Sequence, residues 1–188
     1  MTKVLPKSSR WIFSVRNDGF SCIAWPCYWS GAGHSVERAV IAVGDFMKEA
    51  LKEARQAGES GEVPVGAVIV RDGEMIAACG NLTETKGDPT AHAELLAIRA
   101  ACEVLSTARL MDCDLYVTLE PCAMCATAIS FARIRRLYFG AYDPKGGGVE
   151  YGARIFQQPT CHHKPEVIGG LQENECGALL REFFRGRR

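Results

Sequence analysis

The groups best suited to chemistry in this chain sit in two short segments. One is Thr90-Ala91-His92-Ala93-Glu94 and the other is Glu120-Pro121-Cys122-Ala123-Met124-Cys125. An imidazole from His92 and two thiols from Cys122 and Cys125 make a three-ligand set for zinc, and Glu94 is not needed as a ligand. Three protein ligands leave the fourth tetrahedral position to water, which separates a catalytic zinc from a closed structural one. Zinc lowers the pKa of bound water towards ~7, so hydroxide is available at neutral pH. A carboxyl beside it, here Glu94, can take a proton from that water and return it to the substrate. On an amino-purine or amino-pyrimidine, this chemistry puts oxygen on the carbon bearing the exocyclic amine and releases ammonia.

Spacing adds geometry to the residue types. Cys122 and Cys125 are three apart, so on a helix they share one face. In a first turn, free backbone N–H groups and the positive helix end favour thiolate, the metal-binding form. His92 and Glu94 would diverge on a regular helix, so His92 is expected where the chain has just entered its helix. The competing reading is a closed four-ligand zinc site, with Cys161, His162 or His163 as the fourth ligand and Glu94 only capping a helix. A thioredoxin-like reading of Cys-x-x-Cys leaves His92 and Glu94 without a role.

These residues need elements to hold them. From Val36, apolar residues recur at helical spacing (Ala39, Val43, Phe46, Met47, Ala50, Leu51, Ala54) until Gly58. Val65 to Val70 reads as a strand, Asp72-Gly73 as a hairpin turn and Met75 to Cys79 as the returning strand. Residues 80–89 read as a loop, followed by a helix from about Ala91. Leu115 to Leu119 is a buried strand, and Pro121 suits the first position of the next helix. A strand begins at Leu137, a short helix is expected near Val149 to Phe156, a strand at Glu166 to Ile168 and a last helix from Glu173 to Arg185. The glycine run 146–148 lacks the Lys-Ser/Thr ending of a phosphate-binding loop. Helices alternating with strands predict a sheet covered on both faces.

Length and composition bound the rest. The chain has 188 residues, 47% hydrophobic and 23% charged, as in ordinary globular proteins, with length for one sizeable core. No run approaches the roughly 18 apolar residues of a membrane span. The formal net charge is zero, so nucleic-acid binding must come from a local basic patch. Nine cysteines, an odd number, without a secretory segment predict a reducing compartment, the cytoplasm, with Cys79, Cys102, Cys113 and Cys176 as core or surface thiols. Residues 1–35 are basic and aperiodic and read as a poorly ordered extension. Cys22, Cys27 and His34 within it form at most a second metal cluster.

Together the two segments match the H-x-E…P-C-x-x-C pattern of the zinc deaminases. From about Phe46 to Arg188 the chain resembles the bacterial tRNA-specific adenosine deaminases of the cytidine deaminase superfamily. The likeness is carried by Glu62-Val63-Pro64-Val65-Gly66-Ala67, Thr90-Ala91-His92-Ala93-Glu94, Leu115-Tyr116-Val117-Thr118-Leu119-Glu120-Pro121-Cys122, Phe139-Gly140-Ala141-Tyr142-Asp143 and the stretch from Ala178 to Arg188. The resemblance implies a three-layer α/β/α fold with a mixed five-stranded sheet over residues 36–188. It implies Zn2+ on His92, Cys122 and Cys125, with Glu94 catalytic, and conversion of adenosine to inosine at the wobble position of a tRNA anticodon stem-loop. It further implies a homodimer with each zinc near the subunit boundary, Asn81 on the flipped base and Asp143 near the ribose.

Taken on their own, Asn81 and Asp143-Pro144 are turn residues. The tail is more informative about substrate. Arg181, Arg185, Arg187 and Arg188 flank Phe183 and Phe184, offering cations for phosphate and aromatic faces for unstacked bases. Against that stands an amphipathic helix that buries both rings and leaves a solvated arginine edge. Phe184, Arg187 and Arg188 are the candidate RNA contacts, and Arg133, Arg135 and Arg136 either extend the basic surface or are strand-edge charges. Two other functions remain open to the sequence: a deaminase of free guanine, cytosine or a nucleoside, and a non-catalytic RNA-binding subunit with structural zinc.

Overall fold

A computed structural model describes residues 23–24 and 43–187. The expectations for the remainder of residues 1–35, including the Cys22, Cys27 and His34 cluster, lie outside the described residues, as does Arg188. The first described helix, α1 (Val43–Glu59), carries the forecast apolar stripe, with Phe46, Met47, Ala50, Leu51 and Ala54 all buried. It lies on the hairpin β2 (Gly66–Arg71) and β3 (Glu74–Gly80). A Cβ at Gly66 would fall 2.0 Å from the Ala50 carbonyl oxygen and 2.6 Å from the Ala54 nitrogen, so only glycine allows this close approach. The turn between the strands has φ of 52° at Asp72 and 78° at Gly73, the two positive values that a type I′ hairpin requires.

A short α2 (Thr83–Lys86) follows, then α3 (Ala93–Leu105), β4 (Cys113–Leu119), α4 (Ala123–Ala132) and β5 (Arg136–Ala141). A 3-10 turn (Ile155–Gln157), β6 (Glu166–Ile168) and α5 (Glu173–Arg185) complete the chain. β2 pairs antiparallel with β3 and β4, while β4, β5 and β6 run parallel, giving the mixed five-stranded sheet that was expected. A two-residue strand, β1 (Ile23–Ala24), adds to the outer edge of β3, so the full order is β1-β3-β2-β4-β5-β6.

Alternation along the strands sorts side chains to two faces. Ile69, Leu115, Val117, Leu137 and Phe139 pack towards α3 and α4. Val68, Val70, Tyr116 and Tyr138 pack with α1 and Cys176 of α5 on the opposite face, with the two tyrosine rings stacked 4.5 Å apart. The result is three layers, α/β/α.

Three readings of the sequence need correction. Residues 80–89 are not all loop, since α2 forms within them. Residues 149–156 are not helical until the 3-10 turn, because Gly152 (φ 57°) and Arg154 (φ 44°) take left-handed backbone that interrupts a right-handed helix. Cys79, read as a free thiol, is buried and disulfide-bonded. Among the described residues no helix is long and apolar enough to cross a membrane.

Candidate active site

The loops leaving β3, β4 and β5 emerge at one end of the sheet. Gly66 pairs with Gly80, Leu119 pairs with Ala141, and the Gly66 amide donates to Thr118 Oγ1 at 3.1 Å, which aligns those ends. His92 is the N-cap of α3, extended at φ −69° and ψ 148°, so it precedes the helix by one residue. That break in periodicity lets His92 and Glu94 address the same space. Cys122 is likewise the N-cap of α4, and Cys125 lies one turn in. Pro121 therefore stands outside the helix and not at its first position.

His92 Nδ1 lies 3.7 Å from Cys122 Sγ and 3.4 Å from Cys125 Sγ. A tetrahedral zinc with bonds of about 2.0–2.1 Å to nitrogen and 2.3 Å to sulfur separates those atoms by roughly 3.5 Å. The three ligand atoms all lie within 4.8 Å of one another, and among the described residues no further His, Cys, Asp or Glu joins the group. The residues named for a closed site are engaged elsewhere. His163 Nε2 meets the Ile134 carbonyl at 2.7 Å, Cys161 Sγ donates to the His163 carbonyl at 3.1 Å, and His162 packs beside Phe131.

Charge in the cluster favours a cation. Hydrogen bonds from Cys125 and His92 bring the Cys122 thiol down to about 4, while its thiolate, burial and Glu94 push the Cys125 thiol up. Without a cation the two sulfurs share a proton; a divalent ion lets both bind as thiolates. The hydrogen bond to Cys122 raises the His92 imidazole. Glu94, 4% exposed, has its carboxyl raised by burial and interacts with the Cys125 thiol. The group therefore holds a proton more readily than an ordinary carboxyl, which suits proton transfer.

Two buried acids support the neighbouring loops, and the residue types alone gave neither a role. Glu62 receives the Asn81 amide at 3.2 Å, the Thr83 hydroxyl at 3.2 Å, and the backbone N–H groups of Glu84 at 3.2 Å and Thr85 at 2.7 Å. Asn81 Nδ2 also donates to Thr83 Oγ1 at 3.1 Å, so the rotamer of Asn81 is set from two sides. Glu120 does the same for the loop after β5. The signal that would have found both is an acid set among apolar residues beside a strand, where burial demands donors.

Burial would raise the Glu62 carboxyl, but its hydrogen bonds from Thr85, Glu84 and Thr83 outweigh this and hold it below the ordinary 4.5. A carboxyl lowered by folding stabilises the fold above its unfolded pKa and loses that contribution as pH falls through the folded value. Glu62→Gln is therefore expected to melt lower than the parent at pH 7. The gap should narrow once pH drops below about 4.5, checked by thermal melts of both proteins across pH.

The remaining candidates divide. Asp143 Oδ1 accepts the backbone N–H groups of Lys145 and Gly146, each at 3.0 Å, so half of its carboxylate makes the turn. Phe183 is half-buried and Phe184 is 50% exposed. Arg187 donates to the Gly61 carbonyl and lies 4.1 Å above the Phe183 ring, which folds the tail back onto the body beside Glu62. Arg135 and Arg136 are strand-edge charges paired with Asp114 and Glu166.

The family model for the cytidine and deoxycytidylate deaminase zinc-binding region matches residues 42–141. The tRNA-specific adenosine deaminase of Agrobacterium fabrum is 64% identical over 143 residues, covering 76% of this chain and 94% of that protein. The Bacillus subtilis enzyme of the same name is 51% identical over 140 residues, covering 74% and 87%. A solved structure from work on A-to-I editing by tRNA:A34 deaminases aligns with a TM-score of 0.71 at 64% identity, covering 72% of this chain and 98% of the other. A guanine deaminase from Bacillus subtilis aligns at 0.55 and 35% identity, covering 78% and 94%. Matched over its zinc-binding region, its fold and most of its length, this chain belongs to the tRNA-specific adenosine deaminases of the zinc-dependent cytidine and deoxycytidylate deaminase family.

Proposed function

We propose that this chain hydrolyses the wobble adenosine of a tRNA anticodon to inosine, working in the cytoplasm as a homodimer. One observation carries the reading: three ligand atoms at zinc spacing with a buried carboxyl, Glu94, at their side. His92, Cys122 and Cys125 would hold the zinc, which when bound would lower the pKa of water and make hydroxide available at neutral pH. Glu94 accepts the proton released as water attacks the carbon bearing the amine. It delivers that proton to the adjacent ring nitrogen, then takes the remaining hydroxyl proton of the adduct and passes it to the amino group, which leaves as ammonia. Adenosine and one water give inosine and one ammonia, so no oxidant or reductant enters. Asn81, fixed by Glu62 and Thr83, meets the flipped base, and Asp143 stands at its ribose.

Phe184 and the arginines of the tail extend the site towards the RNA loop. An exposed ring suits a splayed base, and arginine suits the adjoining phosphates. Replacing Arg187 and Arg188 by alanine should weaken stem-loop binding and reduce the log–log salt slope by up to roughly 1.4. Filter binding between low and moderate salt checks this, and an unchanged slope would leave Arg187 with only its fold contacts to Gly61 and Phe183.

The function itself is tested by offering zinc-loaded protein an anticodon stem-loop with wobble adenosine beside free guanine, cytosine and adenosine. Inosine should form in the stem-loop alone. Ammonia from free guanine or cytosine, with the RNA untouched, would replace this reading with a free-base deaminase.

A further inference from the structure

Glu120 occupies the turn between β4 and α4, 2% exposed, two residues before a zinc ligand. Its Oε2 accepts the Asp143 amide at 3.0 Å. Its Oε1 accepts the amides of Val149 at 3.2 Å, Glu150 at 2.8 Å and Tyr151 at 2.9 Å. Among the described residues no Lys or Arg pairs with it. A buried carboxylate without a cation is costly unless hydrogen bonds satisfy it, and here every such bond comes from a single loop. Carboxylate and loop therefore need each other.

The loop is drawn in closely. Gly147 bridges Cys122 across an isolated β-bridge, and the Gly148 amide donates to the Pro121 carbonyl at 2.8 Å. A Cβ at Gly147 would stand 2.5 Å from Glu120 Oε1, and one at Gly148 would stand 2.5 Å from the Ala123 nitrogen. The segment is thus laid across the N-terminus of α4, where Cys122 and Cys125 start. Asp143 begins it, and the exposed Tyr151, whose ring lies 6.2 Å from that of Tyr142, ends its contact with Glu120.

We infer that Glu120 is a positioning residue for deamination: it fixes the wall carrying Asp143 and Tyr151 at a set distance from the zinc ligands. The role of Asp143 at the substrate rests on the function proposed above, whereas the placement of the loop does not. Glu120→Gln puts amide hydrogens where N–H groups already point, so at least one of the four donors loses its acceptor.

The test is run on zinc-loaded parent and Glu120→Gln protein. Hydrogen–deuterium exchange should speed up by at least about tenfold at Asp143, Val149, Glu150 and Tyr151, with α4 amides and zinc content unchanged. On the anticodon stem-loop, KM should rise by about tenfold or more while kcat stays within about threefold. Adding Asp143→Ala should raise KM no further, because both changes act through one wall. Unchanged exchange at the four amides overturns the inference, as does a fall in kcat alone or a fully multiplicative double variant. The expected exchange pattern in a protein whose parent deaminates no stem-loop would uphold the placement and sink the proposed function. Should Glu120→Gln precipitate, Glu120→Asp carries the same measurements. Loss of fold and zinc in both would make Glu120 a general support and end the positioning role.

Discussion

Glu94→Ala is expected to retain one zinc per chain and to lose about 10²- to 10⁴-fold in kcat, the usual worth of a positioned proton-transfer group. Metal content by mass spectrometry and inosine release from the stem-loop measure the two halves. The fold should not suffer. Burial raises the Glu94 carboxyl, so at neutral pH folding takes this acid away from its preferred ionised state and costs stability. Removing it should leave the melting temperature of the metal-free protein equal or higher, apart from a small loss of favourable charge at the N-terminus of α3. Turnover near the parental rate in Glu94→Ala would take this residue out of the reaction.

Cys122→Ala should remove zinc and activity together. His92 and Cys125 alone cannot complete the tetrahedral set, and the neighbouring thiolate that Cys122 provides is lost. Binding a metal a hundredfold above its dissociation constant stabilises a fold by about 2.7 kcal/mol, so the variant should melt well below the zinc-loaded parent. A chelator should lower the parent towards the variant and leave the variant unchanged. Cys161→Ala and His163→Ala make the decisive controls, because those side chains bond to backbone and to Ser130 away from the metal group. Both should keep stoichiometric zinc. Loss of metal in either would restore the closed four-ligand site.

Much of this was legible in the order of residues. His92, Glu94, Cys122 and Cys125 stood out as candidates because metal chemistry admits few residue types and local spacing limits their directions. α1, the Asp72-Gly73 hairpin, β6 and α5 were legible because periodicity and turn conformation are short-range properties. The helix expected over residues 149–156 failed for the opposite reason. Its pattern permits a helix, but the fold draws the segment around a carboxylate about 30 positions earlier and turns it through left-handed backbone at Gly152 and Arg154. Glu62 and Glu120 look in the sequence like ordinary acids, and only burial shows that each has its loop to hold. Arg187 likewise reads as a free cation until the fold brings Gly61 and Phe183 against it.

By itself, then, the sequence determined the candidate ligand set, the helix and strand periods and the family resemblance, all of which depend on residue identity and near neighbours. The tertiary structure decided that the ends of β3, β4 and β5 open at one edge, so that the segments carrying Asn81, His92, Cys122 and Asp143 leave the sheet on the same side. It also decided which acids became hydrogen-bond hubs. Those outcomes depend on strand register and on donors brought from distant segments to satisfy a buried charge, and no local pattern specifies them.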